Sequence, residues 1–368
     1  MTNAKPNPTI SIIVPARNEE ACLGPCLKSL IAQSGIDCEI IVVDDASTDH
    51  TGEIAHSFSG VQVISAPTLP DKWTGKNNAM AAGAKVAKGN WLLFTDADTV
   101  HKPGSLARAI AEAEANGASL LSYSPEQEVR TWWEKAVMPI IFSELAATYP
   151  PKKVSNPNSP VAAANGQYLL VSREAYDAIG GHTKIASDLL EDVAMARLVK
   201  SSGRKIFFRY GGDVVRTRMY RSWPQMKEGW TKNLAMLFPR PRALGFFRGI
   251  EFGLILGNVV AAIAAALLGR QDVAVATGLL AFLLMTSFLL RVQRAHFSVL
   301  SNVLALAGLP MTAYLLFRSA RSHKHGEVTW KDRRYGASFP LKSVPMTSSE
   351  FMKGLEDRTA QQRGVDLK

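Results

Sequence analysis

The sequence predicts an α/β domain with a mostly parallel, doubly wound sheet, followed by membrane-spanning helices. Up to residue 238, short apolar runs rich in β-branched side chains alternate with helical patterns. Such alternation is typical of β–α–β units, whose strands are buried on both faces. Three long apolar stretches then follow one another, and each is close to the ~20 residues that cross a bilayer. A hydrophobic content of 47% agrees with a protein that is partly embedded in a membrane.

Four strands and three helices can be assigned to the N-terminal part. The expected strands are residues 9–14, 39–43, 61–65 and 91–94. The expected helices are residues 25–32, which begin with a proline suited to the first helical position, 49–58 and 76–88. The first strand is not followed by Gly-x-Gly-x-x-Gly, and the chain has no P-loop sequence. Dinucleotide binding and P-loop hydrolysis are therefore disfavoured.

Polar residues follow three of the four strands. They are Pro15, Ala16 and Glu19 after the first strand, Asp44 and Asp45 after the second, and Asp96 and Asp98 after the fourth. Because ligands of such sheets bind beyond the carboxyl ends of the strands, we expect these residues to share one site. Two carboxylates spaced as Asp-x-Asp can hold a hard divalent cation, and the cation can hold a diphosphate. The alternative is that two acids in a turn only add solubility.

Two stretches beyond the fourth strand allow further predictions. Residues 131–149 are aromatic and apolar and include Trp132 and Trp133. They would form either a core helix under the sheet or an interfacial helix with its tryptophans at headgroup depth. Residues 150–160 contain four prolines and are predicted to be a loop, a candidate for a mobile flap over the site.

The hydrophobic region divides into residues 250–268, 273–290 and 297–317. Three full crossings would place the basic tail on the side opposite the catalytic domain, against the positive-inside tendency. We therefore expect two full crossings and a third segment that is broken at Gly308 and Pro310, so that the tail returns to the cytosol. The expected domains are residues 1–238 in the cytosol, 239–322 in the membrane and 323–368 as a basic cytosolic tail.

Charge and cysteine usage indicate the compartment. The net charge is +10, and basic residues concentrate beside the hydrophobic segments, which favours contact with anionic lipid headgroups over nucleic-acid binding. Cys22, Cys26 and Cys38 show neither a disulfide framework nor a metal-binding spacing, so a reducing compartment is expected. The N-terminal residues lack the apolar core of a cleavable signal peptide. We expect a multi-pass protein of the inner (cytoplasmic) membrane with its catalytic domain in the cytosol.

An ordered set of motifs resembles glycosyltransferase family 2 enzymes of the GT-A fold. The motifs are SIIVPARNEE (11–20), VVDDASTDHT (42–51), GKNNA (75–79), TDAD (95–98), ANGQYLLVSREAY (164–176) and LEDVAM (190–195). The resemblance covers residues 9–233. With its membrane segments, the chain is most similar to the branch related to ceramide glucosyltransferases and to hopanoid- and carotenoid-pathway glycosyltransferases.

The resemblance implies a Rossmann-like GT-A sheet and an inverting, metal-dependent transfer of one sugar. The donor would be a nucleotide sugar, with UDP as the first choice of nucleotide. The acceptor would be a hydroxyl or carboxyl group of a lipid in the bilayer, such as a sphingolipid, a hopanoid or a carotenoid-type molecule.

The resemblance also assigns donor-binding roles. The backbone around Pro15 and Ala16 would hold the base, and Asp44 or Asp45 would accept the proton of uracil N3. The alternative for the two aspartates is a turn and a helix cap. Lys76 would meet a phosphate or the base, or would be an ordinary solvated lysine.

The resemblance also assigns metal-binding and catalytic roles to further carboxylates. Asp98 is expected to contact Mg²⁺ or Mn²⁺ directly, with Asp96 turned toward the ribose or a coordinated water. Asp192 matches the family's general base, and Glu191 is the second choice. The alternative for Asp192 is a purely structural role, because the helix dipole favours a carboxylate in the first turn.

The chain departs from the related processive and ceramide-type enzymes before Trp230. Those enzymes carry Gln-x-x-Arg-Trp there, whereas Gly229 replaces the arginine in this chain. The diphosphate contact must then come from another cation, and the candidates are Arg218, Arg221, Lys227 and Lys232. Trp230 would either stack on a sugar face or anchor the juxtamembrane helix. Residues 330–335 resemble a Trp-Lys-x-Arg-x-Tyr ending of this branch, in which Arg333 would close over the diphosphate.

Two other functions remain open. Within the same class, the chain could be a polyprenyl-phosphate or polysaccharide glycosyltransferase, although the missing arginine argues against a processive synthase. Outside it, the chain could be a nucleotide-binding membrane scaffold or a transport component. Intact Asp98 and Asp192 argue against a scaffold, and the hydrophobic region lacks the repeated intramembrane polar sites of a transporter.

Overall fold

A computed structural model describes residues 8–336 and has a seven-stranded sheet at its centre. Its strands are β1 (Ile10–Ala16), β2 (Cys38–Asp44), β3 (Val61–Ser65), β4 (Trp91–Phe94), β6 (Leu120–Ser124), β8 (Leu169–Ser172) and β9 (Ile206–Tyr210). They lie in the order β3-β2-β1-β4-β8-β6-β9. All neighbours are parallel except β8, which runs antiparallel to β4 and β6. The predicted α/β fold with a mostly parallel sheet is confirmed.

The predicted strands and helices of the N-terminal part are all present. Strands 61–65 and 91–94 match to the residue, and the other two differ by one or two residues at their ends. The three expected helices are α1 (Leu23–Ile31), α2 (Thr51–His56) and α3 (Gly75–Val86). Strands β6, β8 and β9 were not predicted from the sequence.

Both faces of the sheet are buried. Ile13 and Leu92 lie in one apolar layer with side chains of α3 and of α9 (Glu191–Ser201). Their neighbours Ile12 and Leu93 lie in the opposite layer, with α1 and α4 (Ser105–Ala115). Alternate residues of one strand thus contact different helix layers, as the pleat requires.

A second, three-stranded sheet supports the turn after β4. It contains β5 (Thr99–His101), β7 (Glu126–Gln127) and β10 (Val215–Thr217), in the order β5-β10-β7. The Thr99 hydroxyl donates to the Asp96 carbonyl at 2.7 Å, and the Thr217 hydroxyl donates to the Asp98 carbonyl at 3.2 Å. Hydrogen bonds from the second sheet therefore fix the backbone of the Asp-x-Asp turn.

The aromatic segment forms α5 (Trp132–Thr148), which begins with a capping box made by Thr131 and Glu134. Val137 and Ile140 are buried among side chains of the C-terminal helices. The alternative of a helix under the sheet applies to its C-terminal end, where Leu145 and the following residue Tyr149 pack with the sheet core. Trp132 is 62% exposed.

The proline-rich stretch that follows is tied to the domain. Residues Pro151–Ser155 form a short helix, α6, and Val154 is fully buried. The Lys200 ammonium donates to the carbonyls of Val154 and Val161 at 2.8 and 2.6 Å. The predicted loop is thus partly helical, and its backbone is anchored by a buried cation. Two more short helices, α7 (Arg173–Ala178) and α8 (Gly181–Lys184), precede α9.

Four helices form the C-terminal part: α10 (Trp223–Leu237), α11 (Pro241–Leu267), α12 (Gln271–Val292) and α13 (Val299–His325). The last three are long and apolar enough to cross a membrane. Helices α11 and α12 pack on each other and leave most of their apolar surface exposed, while half of the apolar stretch of α13 is buried. A two-stranded hairpin, β11 (Val328–Trp330) and β12 (Arg333–Tyr335), follows. Residues 337–368 of the predicted tail lie outside the described residues.

The predicted break in the third apolar segment is wrong. Helix α13 continues through Gly308 and Pro310 from Val299 to His325. A Cβ at Gly308 would lie 2.0 Å from the carbonyl oxygen of Ala136 in α5. The glycine therefore allows close approach of two helices and does not end one.

Helix α13 contacts the catalytic domain at both of its ends. His296, just before the helix, stacks on Tyr210 with ring centroids 4.2 Å apart. Near the other end, Ser319 donates to the carbonyl of Thr231, and His323 Nε2 donates to the carbonyl of Lys232, both at 2.7 Å. The helix thus lies along the domain, and the hairpin that follows packs onto the same domain.

Candidate active site

A cavity of about 810 Å³ opens at the carboxyl ends of β1, β2 and β4. Every predicted site residue except Asp44 lines it: Pro15, Ala16, Glu19, Asp45, Lys76, Asp96, Asp98, Asp192 and Trp230. The structure therefore brings the residues of three strand ends together with the start of α9. Their individual roles remain predictions.

The two neighbouring aspartates at the end of β2 have different partners. Asp44 Oδ1 accepts hydrogen bonds from the backbone N–H and the hydroxyl of Ser47, at 3.1 and 2.5 Å. This is the turn that the sequence allowed as an alternative, and Asp44 does not line the cavity. Asp45 does, and both of its carboxylate oxygens accept from the Arg333 guanidinium. Gly75 makes room for this pair, because a Cβ there would lie 2.5 Å from Asp45 Oδ2.

Lys76 lies at the centre of the cavity. Its ammonium is 2.7 Å from Asp96 Oδ1 and 2.6 Å from Glu191 Oε1. Burial alone would lower the pKa of Lys76, but the two carboxylates outweigh burial and raise it. Gly166 permits the approach, since a Cβ there would be 3.1 Å from Lys76 Nζ. Lys76 is therefore a permanent cation that joins α3, the Asp-x-Asp turn and α9.

The adjacent carboxylates of Glu191 and Asp192 have opposite pKa shifts. Burial opposes the ionisation of Glu191, but Lys76 holds its pKa below the ordinary value. Burial, and then the charge of Glu191, raises the pKa of Asp192 to about 7. Asp192 Oδ2 accepts from the Gly166 N–H and Oδ1 from the Val193 N–H, each at 2.8 Å. A carboxylate with a pKa near neutrality is suited to accept a proton, whereas Glu191 is already neutralised by an ion pair.

Asp98 has the features of a metal ligand. Its Oδ1 is buried and has no hydrogen-bond partner within residues 8–336. Burial, and then the charges of Asp96 and Glu19, raises the pKa of Asp98 to about 8. No cluster of three or more histidine, cysteine, aspartate or glutamate side chains that could hold a metal occurs in the described part of the chain. The protein would thus offer Asp98 and Asp96, and the diphosphate and water would complete the shell, a common arrangement for Mg²⁺.

Gly229 has a packing reason that explains the missing arginine. A Cβ at this position would lie 2.5 Å from the ring of Tyr220. Trp230 is only 2% exposed and packs edge to face with Tyr220 and Phe142, at centroid distances of 5.7 and 6.3 Å. It belongs to a buried apolar cluster and lines the cavity.

Among the four cations proposed to replace that arginine, Lys232 and Arg221 are the best placed. Both line the cavity, while Lys227 is not among the lining residues. Arg218 also lines it, but its guanidinium is paired with Glu134 at 2.9 Å. Burial lowers the pKa of Lys232, against the opposing effect of Glu191.

The C-terminal hairpin brings two more cations into the cavity. The Lys331 ammonium pairs with Glu19 and donates to the carbonyl of Arg17 at 2.8 Å. Arg333 pairs with Asp45, as described above. Lys331 and Asp332 both have positive φ, 47° and 64°, the geometry of a tight two-residue hairpin turn. The sequence singled out Arg333 but missed Lys331, which stands in the same Trp-Lys-x-Arg-x-Tyr stretch.

The cavity thus combines acidic residues at the ends of parallel strands, a bridging lysine and a nearly neutral carboxyl, a set of groups suited to an enzyme of group transfer. The sequence model of glycosyl transferase family 2 matches residues 11–180. The chain carries a domain of this family and is a glycosyltransferase, as predicted. The match ends before Asp192, so the assignment of the base depends on the geometry of α9.

The similarity to one curated relative extends beyond that domain. The chain is 27% identical over 345 residues to the 4,4'-diaponeurosporenoate glycosyltransferase of Staphylococcus aureus (strain MRSA252), and the alignment covers 89% of this chain and 88% of that protein. Among solved structures, the mannosyltransferase PcManGT from Pyrobaculum calidifontis, in complex with GDP-Man and Mn²⁺, is 16% identical with a TM-score of 0.49; 89% of this chain and 88% of that chain are covered. The glucosyl-3-phosphoglycerate synthase from Mycobacterium tuberculosis is 22% identical with a TM-score of 0.42, covering 63% and 80%.

Proposed function

We propose that this glycosyltransferase moves one sugar, with inversion, from a nucleotide sugar to a membrane lipid. UDP-linked sugars are the first choice of donor, and a carotenoid-type molecule, as in the name of the curated relative, is the first choice of acceptor. The observation that carries the proposal is the split between Glu191, ionised and paired with Lys76, and Asp192, with a pKa of about 7. Both lie in the cavity that holds Asp96 and Asp98.

The reaction would be a single displacement. Asp192 takes the proton of an acceptor hydroxyl while that oxygen attacks the anomeric carbon. The bond from this carbon to the diphosphate oxygen breaks, and the nucleoside diphosphate leaves on the opposite face, so the configuration inverts. Lys76, Lys232 and Arg221 surround the cavity with positive charge that favours the leaving group. An acceptor carboxylate would need no proton removal at this step.

The residues fit a divalent cation. Asp98, with its unpartnered buried oxygen, and Asp96 would hold Mg²⁺ or Mn²⁺. A bound cation would neutralise charge on the departing diphosphate.

The base of the donor would lie near Pro15, Ala16 and Asp45. Both oxygens of Asp45 already accept from Arg333, so a nucleotide must either share this carboxylate or displace the arginine. We propose that the base shares it, since a carboxylate offers about four lone-pair sites. Arg333 would then cover the bound nucleotide.

The contacts of the hairpin also support a membrane arrangement. Asp45 and Glu19 belong to the catalytic domain, and Arg333 and Lys331 pair with them. The hairpin and the domain must therefore share one side of the membrane. We propose that α11 and α12 cross the bilayer of the inner membrane, that α13 lies along the domain, and that residues 1–238 and 323–368 flank the membrane residues 239–322 on the cytosolic side.

Membranes that contain the protein can test the reaction with a panel of radiolabelled nucleotide sugars. We expect label in the lipid extract and loss of that label in Asp98→Ala. With a hydroxyl acceptor, Asp192→Asn should also lose the label, whereas a carboxylate acceptor should be less sensitive to this change. Label that stays in a polymer would indicate polysaccharide synthesis, and acid-labile lipid label would indicate a polyprenyl phosphate acceptor. Nucleotide binding without any transfer would leave only a scaffold.

Cysteine accessibility tests the orientation. A cysteine placed at the exposed position Arg334 should react with a membrane-impermeant reagent only after the inner membrane is opened. Reaction in intact cells would contradict the cytosolic placement of the hairpin.

A further inference from the structure

Apolar side chains line one part of the cavity, which we call the apolar arm. One stripe of α5 lines it: Phe142, Leu145, Ala146 and Tyr149. These positions are spaced i, i+3, i+4 and i+7, so they share one face of the helix. A different stripe, with Val137 and Ile140, packs against α13 and its neighbours. Phe142 and Leu145 also pack against the cluster that contains Val137, but all four residues of the stripe line the cavity, where a ligand can contact them.

The inner end of the arm lies beside the proposed base. Tyr149 and Asp192 both line the cavity. Burial raises the pKa of the Tyr149 phenol, the charge of Arg197 opposes this, and the Asp192 charge adds to it. The phenol donates to the carbonyl of Leu237 at 2.6 Å. Its polar group is thus satisfied by the protein, which leaves the ring as an apolar wall.

The outer end of the arm lies at the connection between α12 and α13. Phe297 packs edge to face with Phe142 at 6.0 Å, and His296 stacks on Tyr210. Arg294 lines the same opening and has no ion pair or hydrogen bond within residues 8–336.

This outer end adjoins lipid-facing surface. Val299, Leu300 and Val303, at the start of α13, are 80%, 58% and 55% exposed. A cluster of exposed aliphatic side chains next to an unpaired arginine is the pattern of a membrane interface, with the arginine at the level of the lipid phosphates.

We propose that the apolar arm binds the extended hydrocarbon chain of the acceptor. This inference rests on the proposed function and deepens it: the reactive oxygen lies at Asp192, the chain runs along the α5 stripe, and it leaves toward the bilayer past Phe297 and Arg294. The stripe from residue 149 to residue 142 is about 10 Å long. Because the stripe is one face of a single helix, we expect it to suit a linear chain better than a fused-ring lipid.

A pair of neighbouring alanines provides a matched test. Ala146 is in the middle of the stripe, and Ala147 is exposed and does not line the cavity. Ala146→Trp should obstruct the arm, while Ala147→Trp adds the same side chain outside it. Ala146→Leu is a milder obstruction that is easier to accommodate in the fold. The acceptor probes are oleyl alcohol and cholesterol in vesicles, and butanol in solution.

In the unmodified protein we expect oleyl alcohol to be the better acceptor than cholesterol. Ala146→Trp should lower the ratio of transfer to oleyl alcohol over transfer to butanol by about tenfold, with Ala146→Leu between it and the unmodified protein. Ala147→Trp should leave that ratio unchanged. Equal ratios in the 146 and 147 variants, or a preference for cholesterol, would overturn the arm assignment alone. If the unmodified protein glycosylates no lipid at all, the proposed function fails with it.

Discussion

Asp192→Asn changes one atom of the side chain and removes its charge. Each carboxylate oxygen now accepts one backbone hydrogen bond, from Gly166 and from Val193. Asparagine keeps one oxygen as an acceptor, but its NH₂ group would face the other backbone N–H, so one of the two hydrogen bonds is lost. Loss of a general base lowers the rate by about 10²- to 10⁴-fold, or about 3–5 kcal/mol in activation free energy. We expect kcat for transfer to a hydroxyl acceptor to fall by this factor, with the KM for the donor little changed.

The raised pKa also predicts how activity and stability depend on pH. Because the base must be deprotonated, activity should rise as pH increases through about 7, the pKa of Asp192. Stability should change in the opposite direction. The folded state holds the proton more tightly than the unfolded chain, whose pKa is 3.8. The contribution of Asp192 to the free energy of unfolding is therefore lost as pH rises from about 4 to about 7, by up to about 4 kcal/mol.

Asparagine does not ionise, so this pH-dependent loss disappears in the variant. At pH 5 we expect Asp192→Asn to be less stable than the unmodified protein by about 1–2 kcal/mol, because one hydrogen bond is lost. At pH 8 the difference should shrink or reverse. Thermal unfolding in detergent, followed by tryptophan fluorescence at both pH values, measures this. Asp177→Asn, at an exposed aspartate of α7, is the control. Its difference in Tm from the unmodified protein should be the same at pH 5 and pH 8. A difference in Tm that is the same at pH 5 and pH 8 would refute the raised pKa, and a kcat within threefold of the unmodified enzyme would refute the assignment of the base.

Three further substitutions test other parts of the site. Asp98→Asn should raise the Tm of the metal-free protein at pH 8, since burial raises the pKa of this carboxyl to about 8. The substitution should also abolish any rise in Tm when Mn²⁺ is added after EDTA treatment. A retained rise in Tm would exclude Asp98 as a metal ligand. Gly229→Ala should lower the free energy of unfolding by about 1–3 kcal/mol, because the new Cβ meets the ring of Tyr220. Gly249→Ala is the control: it has open space around it and should change the free energy of unfolding by no more than about 0.5 kcal/mol. Similar values for both would contradict the steric clash at Gly229. Arg333→Ala should raise the donor KM about tenfold through loss of a charge-assisted contact, and Arg334→Ala, on the exposed face of the same strand, should not. A lower KM in Arg333→Ala would show that the hairpin competes with the donor.

Local sequence patterns predicted the strands well because the decisive interactions are local. Val61–Ser65 and Trp91–Phe94 are short apolar runs bounded by polar residues, and the sheet buries them as such. The pairing of Arg333 with Asp45 joins positions 288 residues apart, and that of Lys331 with Glu19 joins positions 312 apart. No local pattern specifies which carboxylate a distant cation will meet, so the tail motif indicated a cation for the site but not its partner.

The neighbouring aspartates of β2 show a finer limit. Both were predicted to belong to the site, but successive side chains of an extended strand point to opposite faces, and only Asp45 lines the cavity. Choosing between them needed the position of Ser47, whose backbone N–H and hydroxyl bind Asp44. Its spacing, three residues after Asp44, was visible in the sequence as a turn signal. Other polar residues nearby, such as Asp45 and Thr48, give similar turn signals in the sequence, and only the folded structure distinguishes them.

Helix α13 shows why the predicted break at Gly308 and Pro310 is wrong, although the sequence contains two residues that usually break helices. Gly308 and Pro310 are breakers by local propensity, but tertiary packing overrides propensity when a glycine allows two helices to touch. Here Gly308 lies against the backbone of Ala136, and the helix stays intact along the domain. An unbroken third helix need not be a third crossing, because contacts at His296 and His323 hold both of its ends on the domain. The hairpin after it can therefore reach Asp45 without a re-entrant turn.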